Sequence, residues 1–304
     1  MAPSAIPPVT ELADRPAVAA AEKISDSEGT KVPEVGFRND PNTSPPKFND
    51  PYAERKYLKH RLAIAYRILA KHELSESVAG HITLRDPVDP ESFWVNPFGM
   101  HFSLITDEDL IRVNHDGEVV DGGRNRLLNQ AAYAIHAAIH KARPDVNCAV
   151  HSHTIYGRAL SATGRPLLML TQDFCTFYND IVVYPNFAGL VLATEEGRRI
   201  AAALGPHKAA VLGNHGLLTV GQTVEAAVVY FVMLERLCQT QLAAEAAVAG
   251  EVGKLIVIGE EEAKVTYQSV GGPDSGYFMG LPLFQVGERE FGERTYLGRG
   301  LEAL

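Results

Sequence analysis

Cysteine and positive charge are both scarce in this chain of 304 residues. Its three cysteines, Cys148, Cys175 and Cys238, are too few and too widely spaced for a disulfide framework or a Cys-x-x-Cys metal site. The 37 aspartates and glutamates outnumber the 28 lysines and arginines, which gives a formal net charge of -9. Because binding to nucleic acid or to an anionic membrane needs a broad basic face, this balance argues against both partners.

Long apolar runs are missing as well. No stretch reaches the ~18 consecutive apolar residues of a membrane span. Residues 1–10 also lack the basic segment followed by an apolar core that marks a secretory signal. With few thiols and no export signal, the sequence predicts a cytoplasmic protein with reduced cysteines.

The composition divides the chain into three parts. Residues 1–50 contain eight of the 18 prolines and no hydrophobic periodicity. Because such a segment cannot bury enough apolar surface to fold alone, we expect a flexible tail, or an arm that lies on a neighbouring subunit. The anchors of such an arm would be Phe37, Phe48 and Tyr52. Residues 51–250 predict one α/β domain, and residues 251–304 are expected to cover that domain or to reach a neighbouring subunit.

Helical and strand-like patterns alternate along the central part. Apolar spacings of three and four residues, helix caps and proline stops predict helices at 53–72, 126–142, 193–204 and 222–249. Short β-branched runs between turn signals predict strands at 80–86, 93–99 and 147–153. Two hairpins are expected, around Asp116-Gly117 and around Asn214-His215-Gly216.

Three of the eleven histidines have a spacing that suits metal binding. His151 and His153 are two residues apart on a predicted strand, so their side chains would point to the same face. His215 lies in a turn bracketed by Gly213 and Gly216, where glycine allows close approach of the backbone. Three imidazoles around one ion would leave coordination positions for water or substrate. The spacing is equally compatible with three side chains that never meet.

Four segments in order along the chain resemble the class II aldolase/adducin family, and they are closest to its adducin-like branch. They are NPFG (96–99), VVDGG (119–123), ARPDVNCAVHSHT (142–154) and LGNHGLLTVG (212–221). The resemblance spans about residues 55–250. It implies a three-layer αβα sandwich with a central, mainly antiparallel sheet, and a homotetramer with active sites at subunit interfaces. It also implies one divalent metal ion per subunit, held by His151, His153 and His215.

The sequence departs from the family's sugar-phosphate aldolases at the residues that carry out their chemistry. The position of their acid–base glutamate is Ala132 here, and their phosphate-binding asparagine, Thr/Ser-Gly turn and serine pair correspond to His81, Phe98-Gly99 and Gln130-Ala131. An alanine cannot move a proton, and larger or apolar groups replace the small hydroxyls. We therefore expect a small unphosphorylated substrate, such as a hydroxy or oxo acid. The substrate-contact candidates are Asn96, Phe98, Gly99 and Gln130.

Several residues could replace the missing base. His81 occupies a position that lines the pocket in the family, and a histidine side chain ordinarily titrates near neutrality. Its alternative role is a structural hydrogen bond to a neighbouring loop. Asp173 follows a predicted strand, and its alternative role is to cap a helix or turn. Tyr178 or Tyr277 could supply a phenol from this or a neighbouring subunit.

Three functions remain open at this point. The first is a lyase in which a divalent ion, zinc by default, supports C–C cleavage. The second is a non-haem iron enzyme that uses O₂ for oxidative decarboxylation of hydroxy or keto acids, because three histidines leave room for substrate and oxygen. The third is a non-enzymatic scaffold like the adducin head. The missing glutamate favours the second and third, and the retained histidines favour the first two.

Overall fold

The strands of the described chain form one eight-stranded sheet. The structure is a computed structural model, and it describes residues 43–187, 189, 194–249 and 254–295. The strands are β1 (His81–Arg85), β2 (Phe93–Val95), β3 (Ile111–Val113), β4 (Val119–Gly122), β5 (Cys148–Ser152), β6 (Ile181–Tyr184), β7 (Ala209–Leu212) and β8 (Gly216–Gly221). Their order across the sheet is β4-β3-β2-β1-β5-β8-β7-β6, and only β6 and β7 pair in parallel. The expected central, mainly antiparallel sheet is therefore confirmed.

Helices cover both faces of this sheet. They are α1 (Pro51–Lys71), α2 (Gln130–Ala142), α3 (Ile155–Ser161), α4 (Thr194–Leu204), α5 (Val224–Ala247), α6 (Glu260–Val270) and α7 (Pro273–Thr295). Two short 3-10 helices, Phe102–Leu104 and Gln172–Phe177, lie in the connections. None of the helices in the described part of the chain combines the length and the apolar character that a membrane span requires.

Side-chain caps set where the helices begin. The Asp50 carboxylate accepts the backbone N–H of Tyr52, and Pro51 occupies the first position of α1, where a missing N–H is harmless. The side chain of Asn129 accepts the N–H of Ala132 at the start of α2. Because of that cap, α2 begins four residues later than the periodicity predicts.

Alternation along the strands separates two apolar layers. On β7, Ala209 and Val211 pack with α1 and α5 on one face, whereas Ala210 and Leu212 pack with α2 and α4 on the other. Strands that are buried on both faces need helices on both sides. This arrangement confirms the expected three-layer αβα sandwich.

The face towards α2 and α4 carries His81 and Thr83 of β1 and His151 of β5. His81 of β1 lies directly opposite His151 of β5 in the antiparallel pairing. Thr83, two residues along β1, lies on the same face and contacts the side chains of His136 and His140 on α2. A row of buried histidines therefore crosses the layer between the sheet and α2.

The last helix, α7, packs on α1 and α5, and the sequence does not predict it. Its apolar periodicity is interrupted by Pro282 and by glycines that let neighbouring elements approach closely. A Cβ at Gly280 would lie 2.6 Å from the carbonyl oxygen of Glu225 on α5. Glu288 of α7 accepts hydrogen bonds from His60 and Arg61 of α1.

The expected N-terminal arm is described only from residue 43. The ring of Phe48 packs on Tyr57 of its own helix α1, with centroids 5.2 Å apart. Tyr52 is 63% exposed, and Phe37 lies outside the described residues. Within the described part, Phe48 therefore contacts its own chain.

The buried histidine row stays neutral in the folded protein. The Nδ1–H of His140 donates to the carbonyl of Val146, so Nε2 accepts the hydroxyl proton of Thr83. That hydroxyl can then accept the Nδ1–H of His136, whose Nε2 is buried without a hydrogen-bond partner. Burial lowers the pKa of His81 and of His140 to about 3, and that of His136 well below its usual value.

We predict that the metal-free protein loses stability as the pH falls from about 6.5 towards 4. In this window the unfolded histidines bind protons and the folded ones do not, so acid favours unfolding by about 2 kcal/mol per histidine at pH 5. Denaturant unfolding in chelator at pH 7 and pH 5 measures this difference. The His140→Gln variant should show a smaller pH slope and exposed His101→Gln an unchanged one. Equal unfolding free energies at both pH values would refute the prediction.

Candidate metal centre

Three imidazoles meet at one end of the sheet. His151 lies near the end of β5, His153 follows that strand, and His215 lies in the turn between β7 and β8. Their ring centroids are 5.1 Å apart for His151 and His153, and 4.7 Å apart for each pair that includes His215. One nitrogen from each side chain lies within 4.8 Å of the other two. The structure therefore brings together the three histidines singled out in the sequence.

The β7–β8 turn holds His215 against β5. Asn214 has a φ of +53°, a left-handed conformation that asparagine tolerates better than most residues. A Cβ at Gly213 would lie 2.8 Å from the carbonyl oxygen of Pro185, and one at Gly216 would lie 2.6 Å from that of Ser152. Both glycines are thus required by close backbone contacts, and together they fix the approach of His215.

Hydrogen bonding and burial prepare the imidazoles for a cation. The Nδ1–H of His151 donates to the carbonyl of Leu217 at 2.8 Å, which leaves Nε2 as the free nitrogen. Burial lowers the pKa of His215 to about 4, and it also lowers the pKa values of His151 and His153. Neutral imidazole is the form that binds metal ions. Since metal–nitrogen bonds are ~2.0–2.1 Å long, small side-chain rotations would bring all three nitrogens onto one ion. The donor set therefore fits a divalent metal ion.

The three histidines open into a cavity of about 560 Å³, a size typical of small-molecule sites. Much of its wall is apolar, formed by Val78, Phe98, Ala131, Ala132, Ile135, Phe187, Ile200 and Leu212. The polar side chains of the wall, besides the metal-binding candidates, are His81, Asn129, Arg158, Tyr184, Asn186, Glu196 and Asn214. Among the described residues that line it, there is no serine, threonine or lysine.

Two of the substrate-site and catalytic candidates lie in this wall. Phe98 lines the cavity, and so does His81, whose ring centroid lies 5.3 Å from that of His151. The Nε2 atom of His81 is buried and has no hydrogen-bond partner among the described residues. Ala132, at the position of the family glutamate, also lines the cavity and presents only a methyl group.

The other three substrate-contact candidates lie outside this wall. Asn96 is buried behind it, where its Oδ1 accepts from the hydroxyl of Tyr66. Gly99 occupies a turn with a φ of +85°. Gln130 is exposed at the start of α2. None of the three touches the cavity in this protomer.

Asp173 and Tyr178 are also absent from the cavity wall. Asp173 is exposed in the first turn of the 3-10 helix Gln172–Phe177, and Tyr178 is the residue that ends it. That helix packs against α6. Within the protomer, neither side chain can therefore act on a molecule in this cavity.

Five polar residues of the wall are not among those that the sequence singles out: Asn129, Arg158, Tyr184, Asn186 and Glu196. Arg158 lies on α3, five residues after His153, and its Nη2 is 3.7 Å from Glu76 Oε1. Tyr184 ends β6, and its hydroxyl donates to Glu196 of α4 at 3.2 Å. Tyr184 reaches the site because β6 pairs with β7, and Glu196 because α4 packs on α2; no local sequence signal reveals either contact. The position of Arg158 just after the histidine pair is a signal that could have been used.

The match to a sequence model of a protein family agrees with this fold and with the histidine cluster. The model for the class II aldolase and adducin N-terminal domain matches residues 60–242, more than half of the chain. The chain belongs to the class II aldolase and adducin family. Class II aldolases generally use a divalent metal ion, in agreement with the histidine cluster.

Individual members of this family match over most of the chain. A protein of Streptomyces roseochromogenus subsp. oscitans, named 4-hydroxy-3-prenylphenylpyruvate oxygenase/4-hydroxy-3-prenylbenzoate synthase, is 47% identical over 80% of this chain and 86% of its own. Decarboxylase NovR of Streptomyces niveus is also 47% identical, over 80% of this chain and 88% of its own. The solved structure of L-fuculose 1-phosphate aldolase from Glaciozyma antarctica PI12 is 46% identical. It covers 84% of this chain and 97% of its own, with a TM-score of 0.77.

We predict that the purified protein contains about one divalent ion per subunit and that the variant His151→Ala/His153→Ala contains none. Removing two of three ligands leaves too few donors to retain the ion. Elemental analysis by inductively coupled plasma mass spectrometry provides the measurement, after anaerobic reconstitution with zinc or iron. The exposed His101→Ala variant is the matched control. Equal metal content in the double variant and the control would show that the ion binds elsewhere.

Proposed function

We propose that this chain is a metal-dependent enzyme that cleaves a C–C bond of a small, unphosphorylated hydroxy or oxo acid. One observation carries the proposal: three neutral imidazoles converge at the edge of a single cavity. The described wall of that cavity contains one arginine and is otherwise largely apolar. A bound divalent ion would supply Lewis acidity, by polarising an oxygen of the substrate. The chain's own residues would select and orient the acid.

The wall of the cavity disfavours a phosphorylated substrate. A phosphate monoester carries up to two negative charges and needs several donors. The positions of the phosphate-binding turn and serine pair in the family's aldolases carry Phe98 and Ala131, which line the cavity and offer no side-chain donor. Arg158 is the single lysine or arginine among the described residues of the wall. One guanidinium group suits a carboxylate, which it can bind through two parallel hydrogen bonds.

Arg158 also lies close to the metal-binding candidates. The pKa of His153 is lowered first by burial and then by the positive charge of Arg158. The side chain is 48% exposed; its Nε donates to the carbonyl of Thr154 at 3.4 Å, and its Nη2 forms a loose ion pair with Glu76. Its remaining donors are therefore available to a ligand. An acid whose carboxylate pairs with Arg158 would hold its oxo or hydroxyl group towards the three histidines.

His81 does not suit the role of general base. Burial lowers its pKa to about 3, so the imidazole is neutral and weakly basic at physiological pH. Its ring lies between His136 and His151, at centroid distances of 4.0 and 5.3 Å. We assign it to the cavity wall, where a neutral ring nitrogen can accept or donate one hydrogen bond.

The relatives support an enzyme that breaks C–C bonds. Two of them are named as a decarboxylase and as an oxygenase and synthase, and a third as an aldolase. A non-enzymatic scaffold would have little need for three convergent imidazoles at the mouth of a cavity of this volume. These points favour catalysis over the scaffold hypothesis.

A second candidate is oxidative decarboxylation that uses O₂ and iron. The specific observation in its favour is the 47% identity to the oxygenase-named relative, together with the absence of a carboxylate at Ala132. In this case O₂ would serve as the oxidant, and the ion would be Fe²⁺ rather than Zn²⁺. The residues of the chain that bind the acid would be the same.

We further propose a homotetramer in which a neighbouring subunit completes the mouth of the cavity. Val78 and Phe187 line the cavity and are 53% and 54% exposed in the protomer. Large apolar side chains that are exposed beside a site are typical of surfaces covered by a partner. Light scattering of the purified protein measures the assembly directly, and a stable, fully active monomer would exclude it.

We predict that the metal-loaded protein cleaves members of a panel of 2-oxo and 2-hydroxy acids and leaves dihydroxyacetone phosphate adducts intact. The reaction is followed by NMR of substrate and products, with zinc or iron and with or without air. Cleavage without oxygen uptake supports the lyase, and stoichiometric oxygen uptake with iron supports the second candidate. Cleavage of phosphorylated adducts alone would contradict the proposal.

We predict that Arg158→Gln raises KM for the cleaved acid about tenfold or more and changes kcat much less. A charged hydrogen bond contributes about 1.5–3 kcal/mol, and here it binds a group that does not react. Steady-state kinetics of the metal-loaded variant gives both constants. Arg236→Gln, an exposed arginine of α5, is the control. An unchanged KM in Arg158→Gln would remove the carboxylate-binding role.

A further inference from the structure

Glu196 is a carboxylate of the cavity wall whose hydrogen bonding the fold leaves incomplete. It lies in the first turn of α4. Its Oε1 accepts the hydroxyl proton of Tyr184 at 3.2 Å, whereas its Oε2 is buried without a hydrogen-bond partner in the described structure. A buried carboxylate oxygen without a donor is costly, so such an atom calls for an explanation. A donor group on a bound molecule would supply one.

The position of Glu196 relates it to the missing glutamate of α2. Helix α4 packs so tightly on α2 that a Cβ at Gly197 would collide with the carbonyl oxygen of Ala134. Ala131 and Ala132 of α2 line the same cavity as Glu196. The neighbouring helix thus supplies a carboxylate to the cavity from which α2 has lost one.

We propose that Glu196 is the catalytic acid–base residue of this site, in place of the carboxylate absent at Ala132. The inference rests on the proposed function, and it names the group that moves the proton. In a 4-hydroxy-2-oxo acid, the Glu196 carboxylate takes the hydroxyl proton as the bond between C3 and C4 breaks. The electron pair of that bond passes to the C2 carbonyl oxygen and forms an enolate, while C4 leaves as an aldehyde. The carboxylic acid of Glu196 then returns the proton to C3, so no further reactant is consumed.

Tyr184 is the positioning residue for this carboxylate. Its side chain is largely buried, and its hydroxyl holds Oε1, so that Oε2 remains for the substrate. The carbonyl of Tyr184 accepts the N–H of Gly213 at 2.7 Å, in the turn that carries His215. Tyr184 therefore contacts both the Glu196 carboxylate and the turn that positions His215.

The first test measures binding, so that it does not depend on turnover. The probe is glycolohydroxamate, whose two oxygens chelate a metal ion while its N–H can donate to a carboxylate. Its affinity for the zinc-loaded protein is measured by isothermal titration calorimetry in the wild type, Glu196→Gln and Tyr184→Phe. Glu195→Gln is the matched control, because Glu195 lies one residue earlier, is 55% exposed and pairs with Arg198. Zinc content is measured in every sample.

We predict about tenfold weaker binding in Glu196→Gln, a smaller loss in Tyr184→Phe and no change in Glu195→Gln, all at equal zinc content. For an acid that the wild type cleaves, kcat of Glu196→Gln should fall at least a hundredfold with KM little changed. A purely structural role would instead lower zinc content or folding in the variant.

The outcomes separate this inference from the proposed function. Equal hydroxamate affinity in wild type and Glu196→Gln overturns the role of Glu196, even where acids are cleaved. Weaker binding in that variant without cleavage of any acid supports contact of Glu196 with the ligand and overturns the proposed function alone. Failure of the zinc-loaded wild type to bind the probe overturns the role of Glu196, whereas the proposed function is decided by the panel of acids.

Discussion

The antiparallel pairing of β5 with β8, and of β8 with β7, is the constraint on which the site depends. It brings the end of β5 beside the tight turn that carries His215, and so the three imidazoles meet. The glycines of that turn, Gly213 and Gly216, allow backbone contacts that any side chain would obstruct. The cross-strand pair of His81 and His151 extends the same face towards α2. Sheet register, rather than local sequence, therefore determines which side chains surround a bound molecule.

The layer between the sheet and helices α2 and α4 has two properties whose combination costs folding stability. It is buried enough to keep its histidines neutral, which favours metal binding, and it encloses a cavity with few charged side chains in the described wall. A charge that is buried in this layer is screened less by water than one on the surface, whereas Arg158, whose side chain is 48% exposed, stays in contact with solvent. Arg158 and Glu196 are the charged side chains in the described wall; the first would bind the substrate carboxylate and the second would move the proton.

Much of the fold follows from patterns in the sequence, and most of the chemistry does not. Alternation and helical spacing predict the strand at His151 and four of the five helices described in the central domain, but not the short helix α3. The glycines around His215 predict the turn that carries it. Helix α7 was missed because Pro282 and its glycines interrupt the apolar period while they permit close packing. Tyr184 and Glu196 were missed because only the pairing of β6 with β7 and the packing of α4 on α2 bring them to the cavity. Asp173 has a plausible local sequence, but it lies in the 3-10 helix Gln172–Phe177, which packs against α6 and is not part of the cavity wall.

X-ray absorption at the edge of the bound metal tests the central claim most directly, because it reports the ligands of the ion in solution. The account predicts three imidazole nitrogens at ~2.0–2.1 Å, with the remaining positions held by light atoms. It also predicts a change in those remaining positions when a 2-oxo acid that the protein binds is added. A sulfur ligand, fewer than three imidazoles, or a spectrum unaffected by a bound acid would contradict it.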